Sequence, residues 1–517
     1  MISIISTCAL SGIDAFPVSV EVDITSGLPG FTMVGLPDSA VREARERVFS
    51  ALKNSGFSIP SKRITVNLAP GGIKKEGTAF DLPLALGILL ASGQIECPEL
   101  QELIFLGELS LDGRLRPVRG ILSAVIFAKQ NGRKGLVIPF QNGAEADAVQ
   151  GVGIFSPKNL IEVLDFLRCP EFPVRSKKLG VMTGAGSSEV LDFSDVRGQA
   201  AAKRALEVAA AGAHNFLLVG SPGCGKTLLA RRLPSILPML NEDEALETTR
   251  IYSVAGLLKI GQGRMCERPF RAPHHSISQQ GLIGGGAGSR PGEMSLAHNG
   301  VLFLDEFPEF HKDAIEALRQ PLEEGSVTIA RASQSLTFPC RSILGAAMNP
   351  CPCGFLMDRK RRCLCRMEEI VRYRARLSGP LLDRIDIHLE LPVLSMGELD
   401  GGITGESSEQ VRGRVDIART TQWNRFLKIR EKGSKALFCN GHMTGIQARE
   451  FCTMKDAARK VLSQAVESLG FSARAYDRIL KVGRTIADLD GTEIIEEGHI
   501  AEAIHYRCLD REMPVYV

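Results

Sequence analysis

H-N-F-L-L-V-G-S-P-G-C-G-K-T-L-L-A, residues 214–230, decides the fold. An apolar stretch (Phe216 to Val219) reads as a buried strand, and Leu228 onward reads as a helix. Between them G-S-P-G-C-G-K-T fits G-x-x-x-x-G-K-[ST] in the context that motif requires. A triphosphate needs this arrangement. Glycines let backbone N–H groups wrap the phosphates, and the helix N-terminus adds a favourable dipole. Gly220, Ser221, Pro222, Gly223, Cys224 and Gly225 form the loop, Lys226 reaches the β/γ oxygens, and Thr227 holds Mg²⁺. The bland alternative is a chance glycine-rich turn.

Downstream, G-V-L-F-L-D-E (300–306) is a buried strand ending in two acids. Asp305 is placed to orient the metal and its waters, and Glu306 to polarise the attacking water. S-I-L-G-A-A-M-N (342–349) is another apolar strand, and Asn349 at its end is placed to position that water. L-L-D-R-I-D (381–386) offers Arg384 either as a partner for Asp386 or as a finger acting on a neighbouring subunit's ATP. S-A-R-A-Y-D-R (472–478) offers Arg474 as a γ-phosphate contact, a role Arg478 could share or take over.

The 517 residues suggest three or four domains. Hydrophobic residues at 44% and charged residues at 23% exclude wholesale disorder. The net charge of +3 does not by itself announce a nucleic-acid binder, so any such surface is local. The N-terminus has no positive leader region, and the longest apolar run, Leu82 to Ala91, is too short for a bilayer. A cytoplasmic protein without a membrane partner is expected. Thirteen cysteines in such a chain do not suggest a disulfide framework.

Residues 1–168 read as an α/β unit. Strands are expected at 18–24, 63–68, 104–110 and 135–139, and helices at 39–54 (capped by Asp38), 82–92 and 122–130. Residues 169–189 lose periodicity and read as a linker. An α/β core with a parallel sheet occupies 190–394, and 395–517 opens on a loop-like joint and then reads as helical.

This order of motifs resembles an AAA+ ATPase, with a P-loop core and a C-terminal helical lid. The resemblance implies a homo-oligomeric ring, usually a hexamer, with ATP and Mg²⁺ as cofactors. P-F-R-A-P-H-H-S-I-S, P-G-E-M-S-L-A-H-N-G-V-L-F-L-D-E-F, A-A-M-N-P-C-P-C-G and L-S-G-P-L-L-D-R-I-D resemble the bacterial magnesium-chelatase-like ComM/YifB family over essentially the whole chain. That family implies a DNA partner and helicase or branch-migration activity in DNA uptake and recombination. A protein-remodelling ATPase and a chelatase-type motor are the alternatives. Residues 311–332 also resemble the segment before sensor 1 in MCM helicases. There S-V-T-I-A-R-A-S-Q-S-L-T-F (326–338) forms two strands around a polar turn, with Arg331 near the tip facing DNA, or else a solvated edge hairpin. The glycine-rich stretch Gly281 to Gly292, preceded by Arg271, His274 and His275, is a companion DNA loop or a plain insertion. Adjacent histidines are expected to face apart and not to share a metal.

A-P-G-G-I-K-K-E-G-T-A-F-D-L-P-L-A-L (69–86) and G-R-L-R-P-V-R-G-I-L-S-A-V (113–125) resemble the serine and lysine segments of Lon protease, and also the RadA repair protein. In that alignment the serine position falls on Ala79 and the lysine position on Ala124. The resemblance therefore implies a Lon-like domain without the Ser/Lys dyad and without proteolysis. The flanking hydroxyls Thr78 and Ser123 are one position off. Lys74 and Lys75 could contact phosphates or simply be solvated.

Cys351, Cys353, Cys363 and Cys365 form two C-x-C pairs closing a short loop within 351–365, a pattern that suits tetrahedral thiolate ligation, most simply of a structural Zn²⁺. Four free thiols are the alternative. Asp358 to Arg384 holds nine Lys/Arg against four Asp/Glu. Arg361 and Arg362 between the cysteine pairs are candidate DNA contacts, and a salt-bridged helix competes with that reading.

Overall fold

The computed structural model describes residues 2–517 apart from 169–170, 173–190, 287–289, 331–334, 357, 359–360, 394–404, 428–436, 508 and 510–517, and side chains except those of 98 and 99. The two expected joints lie largely outside the described residues, and so does Arg331.

The amino-terminal part is built on a four-stranded sheet. β1 (Ile2–Ser11) and β2 (Asp14–Thr25) form an antiparallel hairpin turning at Gly12. β2 pairs antiparallel with β4 (Arg63–Ala69), which also pairs in parallel with β3 (Gly30–Val34). Strict alternation buries Val18, Val20 and Val22 of β2 and Ile64, Val66 and Leu68 of β4 on one face. The helix expected over 39–54 is broken at Glu43 into Ser39–Arg42 and α1 (Ala44–Asn54), with Asp38 accepting from the Val41 N–H at 2.8 Å. α2 (Asp81–Ala91) is apolar all round and is buried on nearly every side. Its one acid, Asp81, is held by both guanidinium arms of Arg47 at 2.7 and 2.9 Å. A second, parallel three-stranded sheet contains β5 (Leu103–Phe105), β6 (Gly135–Val137) and β7 (Gly153–Phe155), with α3 (Ile121–Gln130) between β5 and β6 in sequence. The strand expected over 104–110 stops at Phe105 and resumes only as Glu108–Leu109. Gly107 lies in the gap, where a Cβ would come within 2.9 Å of Leu115.

Ala124 sits in an apolar cluster with Cys8, Ile104 and Val125, and Ala79 packs against that cluster. The fold thus brings the two alanine positions into one neighbourhood and fills it with methyl groups. Thr78 hydrogen-bonds Glu108, and Ser123 donates to the Ile13 carbonyl. Lys75 is buried against the Pro70 carbonyl, and Lys74 pairs with Glu76 at 2.9 Å.

The core is a five-stranded, wholly parallel sheet. In sequence the elements are α4 (Ala200–Gly212), β8 (Phe216–Gly220), α5 (Lys226–Ile236), α6 (Glu242–Ala255), β9 (Phe270–Arg271), α7 (Gln279–Ile283), β10 (Gly284–Gly285), β11 (Arg290–Pro291), β12 (Val301–Leu304), β13 (Ser326–Ala330), β14 (Ser335–Pro339), β15 (Ile343–Met348), α8 (Met367–Arg374) and β16 (Ile387–Leu391). Across the sheet the order is β9-β12-β15-β8-β16. Successive residues face opposite layers. Phe216 and Leu218 join one apolar cluster, and Leu217 and Val219 join the other. β10/β11 and β13/β14 are two hairpins hung off this sheet.

The carboxyl-terminal helices α9 (Ser408–Leu427), α10 (Asp456–Leu469), α11 (Ala473–Leu489) and α12 (Glu497–His505) share the Phe216 cluster through Val415, Leu462, Ile479, Ile486 and Ile500. The amino-terminal part docks on α6. Gly120 N–H donates to the Ser253 carbonyl at 3.2 Å, and Arg250 reaches Asp14 at 2.6 Å. The buried Glu145 carboxylate accepts from Ser253 and from the Leu122 N–H. Gly12 lies against β14, where a Cβ would be 3.6 Å from the Thr337 oxygen.

A candidate nucleotide site

The loop leaving the carboxyl end of β8 turns through Gly223 and Gly225, at φ +83° and +93°. A Cβ at either would meet nothing within 4 Å, so glycine is required there by the backbone angle. Lys226 curls over the loop and donates to the Gly220 carbonyl at 2.6 Å and the Ser221 carbonyl at 3.1 Å. Its third donor goes to Asn349 Oδ1 at 3.1 Å, so the end of β15 meets the loop directly. Burial holds the ammonium below its usual range. Gln199 donates to the Cys224 carbonyl at 3.3 Å and bridges to the Pro392 carbonyl at 3.0 Å.

Thr227 Oγ1 donates to Asp305 Oδ2 at 2.6 Å, and Asp305 Oδ1 accepts from the Glu306 N–H at 3.0 Å. Glu306 has φ +51°, a left-handed conformation that costs a non-glycine residue about 1 kcal/mol or more. Its carboxylate lies 3.3 Å from His275 Nδ1. The two histidine rings do not face apart: their centroids are 4.0 Å from each other. Ser221 Oγ is buried with no partner among the described residues. That orphan hydroxyl, the open cradle at Gly223 and Gly225, and the Thr227–Asp305 pair fit a nucleotide phosphate chain with Mg²⁺.

The arginines lie elsewhere. Arg384 is nearly buried, ion-paired with Glu323 and donating to the Pro380 carbonyl, so its partner is not Asp386. Asp386 is taken by Arg478 and also accepts from the Asn215 N–H at 3.0 Å. Asn215 precedes β8, whose five residues span about 16 Å before the phosphate loop begins. α11 therefore meets the sheet at the end opposite the loop. Arg474 is exposed on the first turn of α11, one turn before Arg478. Arg271 is engaged by Glu293 in a bidentate pair at 2.6 and 2.7 Å.

The four cysteines converge. Cys351–Cys353, Cys351–Cys363 and Cys353–Cys363 sulfurs are 3.4, 3.7 and 3.6 Å apart, and all four lie within 4.8 Å of one another. A tetrahedron with Zn–S near 2.3 Å has edges of about 3.8 Å, so this donor set fits the ion. The Cys353 thiol is lowered to about 6, chiefly by the Phe355 N–H. The knuckle closes over the phosphate loop: a Cβ at Gly354, φ +83°, would lie 2.6 Å from Pro222 Cδ. Arg361 and Arg362 are exposed, Arg361 over the Phe355 ring at 5.0 Å.

Family models for magnesium chelatase subunit ChlI match residues 192–399 and, as a separate segment, 20–142. A model for the ChlI C-terminal region matches 405–507. Competence protein ComM of Haemophilus influenzae is 44% identical over 514 residues, covering 99% of this chain and 98% of its own. The chain belongs to the ComM/YifB family of magnesium-chelatase-like proteins. The uncharacterized protein YifB of Escherichia coli is likewise 44% identical over 511 residues, with 99% and 98% coverage. Lon protease 2 of Bacillus subtilis is 32% identical over 128 residues, 25% of this chain and 23% of its own. The ComM/YifB chain thus combines a Lon-like α/β part, an AAA+ core and a helical lid. No helix among the described residues is long and apolar enough to cross a membrane.

Proposed function

We propose that this protein is an ATP-hydrolysing ring motor whose subunits share each site, and that it moves on DNA. The observation carrying this reading is the division of the site. Lys226, Thr227, Asp305 and Asn349 converge on one chain's phosphate loop, while Arg384 is paired with Glu323 and lies beside Asn215 at the opposite end of the strand. In this reading the backbone of residues 220–225 and Lys226 bind the phosphates, and Thr227 and Asp305 hold Mg²⁺ and its waters. Bound Mg²⁺ neutralises charge on the β/γ oxygens. Glu306 takes the proton of the attacking water, and Asn349 orients that water. Arg384 and Arg474 reach the triphosphate of a neighbouring subunit, most simply in a hexamer, and leaving the Glu323 pair frees Arg384 to do so. Arg361, Arg362, Arg271 and Arg331 are the proposed DNA contacts, with Arg271 having to exchange Glu293 for a phosphate.

The test is ATP turnover with and without single-stranded and forked DNA at two salt concentrations, with Lys226→Ala as the blank. Salt-sensitive stimulation absent from the blank supports the motor. Turnover indifferent to every DNA rejects it and favours the chelatase-type or protein-remodelling motor, the former suggested by the ChlI matches along the chain.

Zn²⁺ in the four-cysteine knuckle is part of the proposal. Purified protein should release about one Zn²⁺ per chain to a thiol-reactive mercurial, and Cys363→Ser should release far less. Protein isolated metal-free yet equally stable would reject the ion.

A further inference from the structure

Core and lid meet over a cleft at the amino end of β15. Arg268, Arg341 and Ser342 line it from the core, and Arg419, Phe438 and His442 from the lid. β15 runs six residues from Ile343, about 20 Å, before Asn349 meets the phosphate loop. The cleft is therefore separate from the nucleotide site.

Charge in the cleft is not balanced. Glu244, the acid on its wall, is spent on Arg268 at 2.7 and 3.2 Å. Arg419 on α9 donates through Nε and one terminal nitrogen to the Ala210 carbonyl, at 3.0 and 2.6 Å. Glu244 and Asp416 act on it through space, but neither forms an ion pair with it among the described residues. A guanidinium has five N–H donors, so this one keeps donors to spare. Burial holds it below the usual arginine range, and the Arg268 charge adds to that. Burial, with Arg341 and Arg419, pushes His442 down to about 3, so its ring is neutral near pH 7. Ser342 Oγ and His442 Nδ1 are both buried with no hydrogen-bond partner among the described residues. Native interiors rarely leave such groups unpaired.

Spare donors around an unneutralised cation match a small anion rich in acceptor oxygens. The cleft is partly open, and its empty volume, mouth included, is about 390 Å³. That is at the low end for ligand pockets and suits one phosphate group with little attached. We propose that this cleft binds the phosphate group of a small molecule, as free phosphate or a phosphomonoester, and that the bound anion clasps the lid to the core. Arg419 and His442, its proton on Nδ1, donate from the lid, and Ser342 donates from the core.

The chain supplies its own reporter. Trp423 is its one tryptophan, and it stacks on Phe438 of the cleft with ring centroids 5.2 Å apart. The experiment titrates full-length protein with inorganic phosphate and follows tryptophan emission. A non-hydrolysable ATP analogue and Mg²⁺ fill the phosphate loop throughout, and chloride keeps the ionic strength constant. Equilibrium dialysis against radiolabelled phosphate is run in parallel. Wild type should show a saturable change and retain stoichiometric phosphate. Arg419→Met should weaken binding about tenfold or more, and Ser342→Ala about threefold to fivefold. Ser342→Ala removes a hydroxyl that bonds nothing, so it keeps the test sound if Arg419→Met fails to fold. Glycerol 3-phosphate in place of phosphate separates the two sources: equal binding assigns the cleft to phosphomonoesters, and binding of inorganic phosphate alone assigns it to the free anion. No phosphate retained beyond the loop overturns the proposal. So does an equal response to chloride, or affinity unchanged in both variants, because the anion would then sit elsewhere.

Discussion

Asp386 and Gly354 are two positions where one side chain, or its lack, decides what a larger part can do. Asp386 is buried. Burial opposes its charge, but Arg478 beside it and His214 outweigh that, so the carboxyl is held well below its usual range. A depressed acid stabilises the fold above its unfolded value of 3.8, and that contribution is lost as the pH falls toward the folded value. Arg478→Ala leaves this charge buried without its partner. We expect a loss of about 3–5 kcal/mol in urea unfolding at neutral pH. Asp386→Asn combined with Arg478→Ala should cost clearly less than the sum of the two, and simple additivity would show that the pair is not coupled. At Gly354 both the positive φ and Pro222 exclude a side chain. Gly354→Ala should weaken ATP binding by about tenfold, from about 1–2 kcal/mol of strain passed to the phosphate loop. Unchanged affinity in a fluorescent-nucleotide titration would mean that the knuckle and loop move independently.

At the scale of elements, motifs at the ends of strands were the legible part. A phosphate loop, an acid pair and an asparagine each follow an apolar run within ten residues, so local chemistry suffices to find them. β1 was not legible, because Ser3, Ser6 and Thr7 interrupt its apolar residues; Ser3 and Thr7 are satisfied only by the distant Gly87 and Phe105 carbonyls. The His275–Glu306 and Gly354–Pro222 contacts span 31 and 132 residues and depend on strand order, which no local pattern reports. The docking of α3 on α6 was equally hidden. There burial pushes Glu145 above its usual value of 4.5, only partly offset by Ser253, Leu122 and Asn142. A raised acid favours the docked form while it is protonated, so docking weakens as the pH rises from 4.5 through the shifted value. Amide exchange at Ile121–Gln130 should therefore speed up across that interval beyond the intrinsic pH dependence, and Glu145→Gln should flatten the excess. An excess that persists in the variant would assign the effect to another group.

At the scale of the whole molecule, the three parts form one continuous solid. The lid shares the core's apolar layer, and the Lon-like part rests on α6 and touches the β13/β14 hairpin through Gly12. The fold class and the order of parts follow from the sequence, but how they lean on one another does not, because the docking surfaces are scattered single residues. Arg384, just before β16, lies beside Asn215 at the end of the sheet away from its own phosphate loop. If each site is completed by a neighbour, two inactive variants can repair each other. Lys226→Ala chains keep Arg384, and Arg384→Ala chains keep the loop. In a random equal mixture about a quarter of the junctions pair an intact loop with an intact arginine, so turnover should reappear at that fraction of wild type. A mixture as dead as its components at every ratio, after subunits have exchanged, would mean that each chain completes its own site.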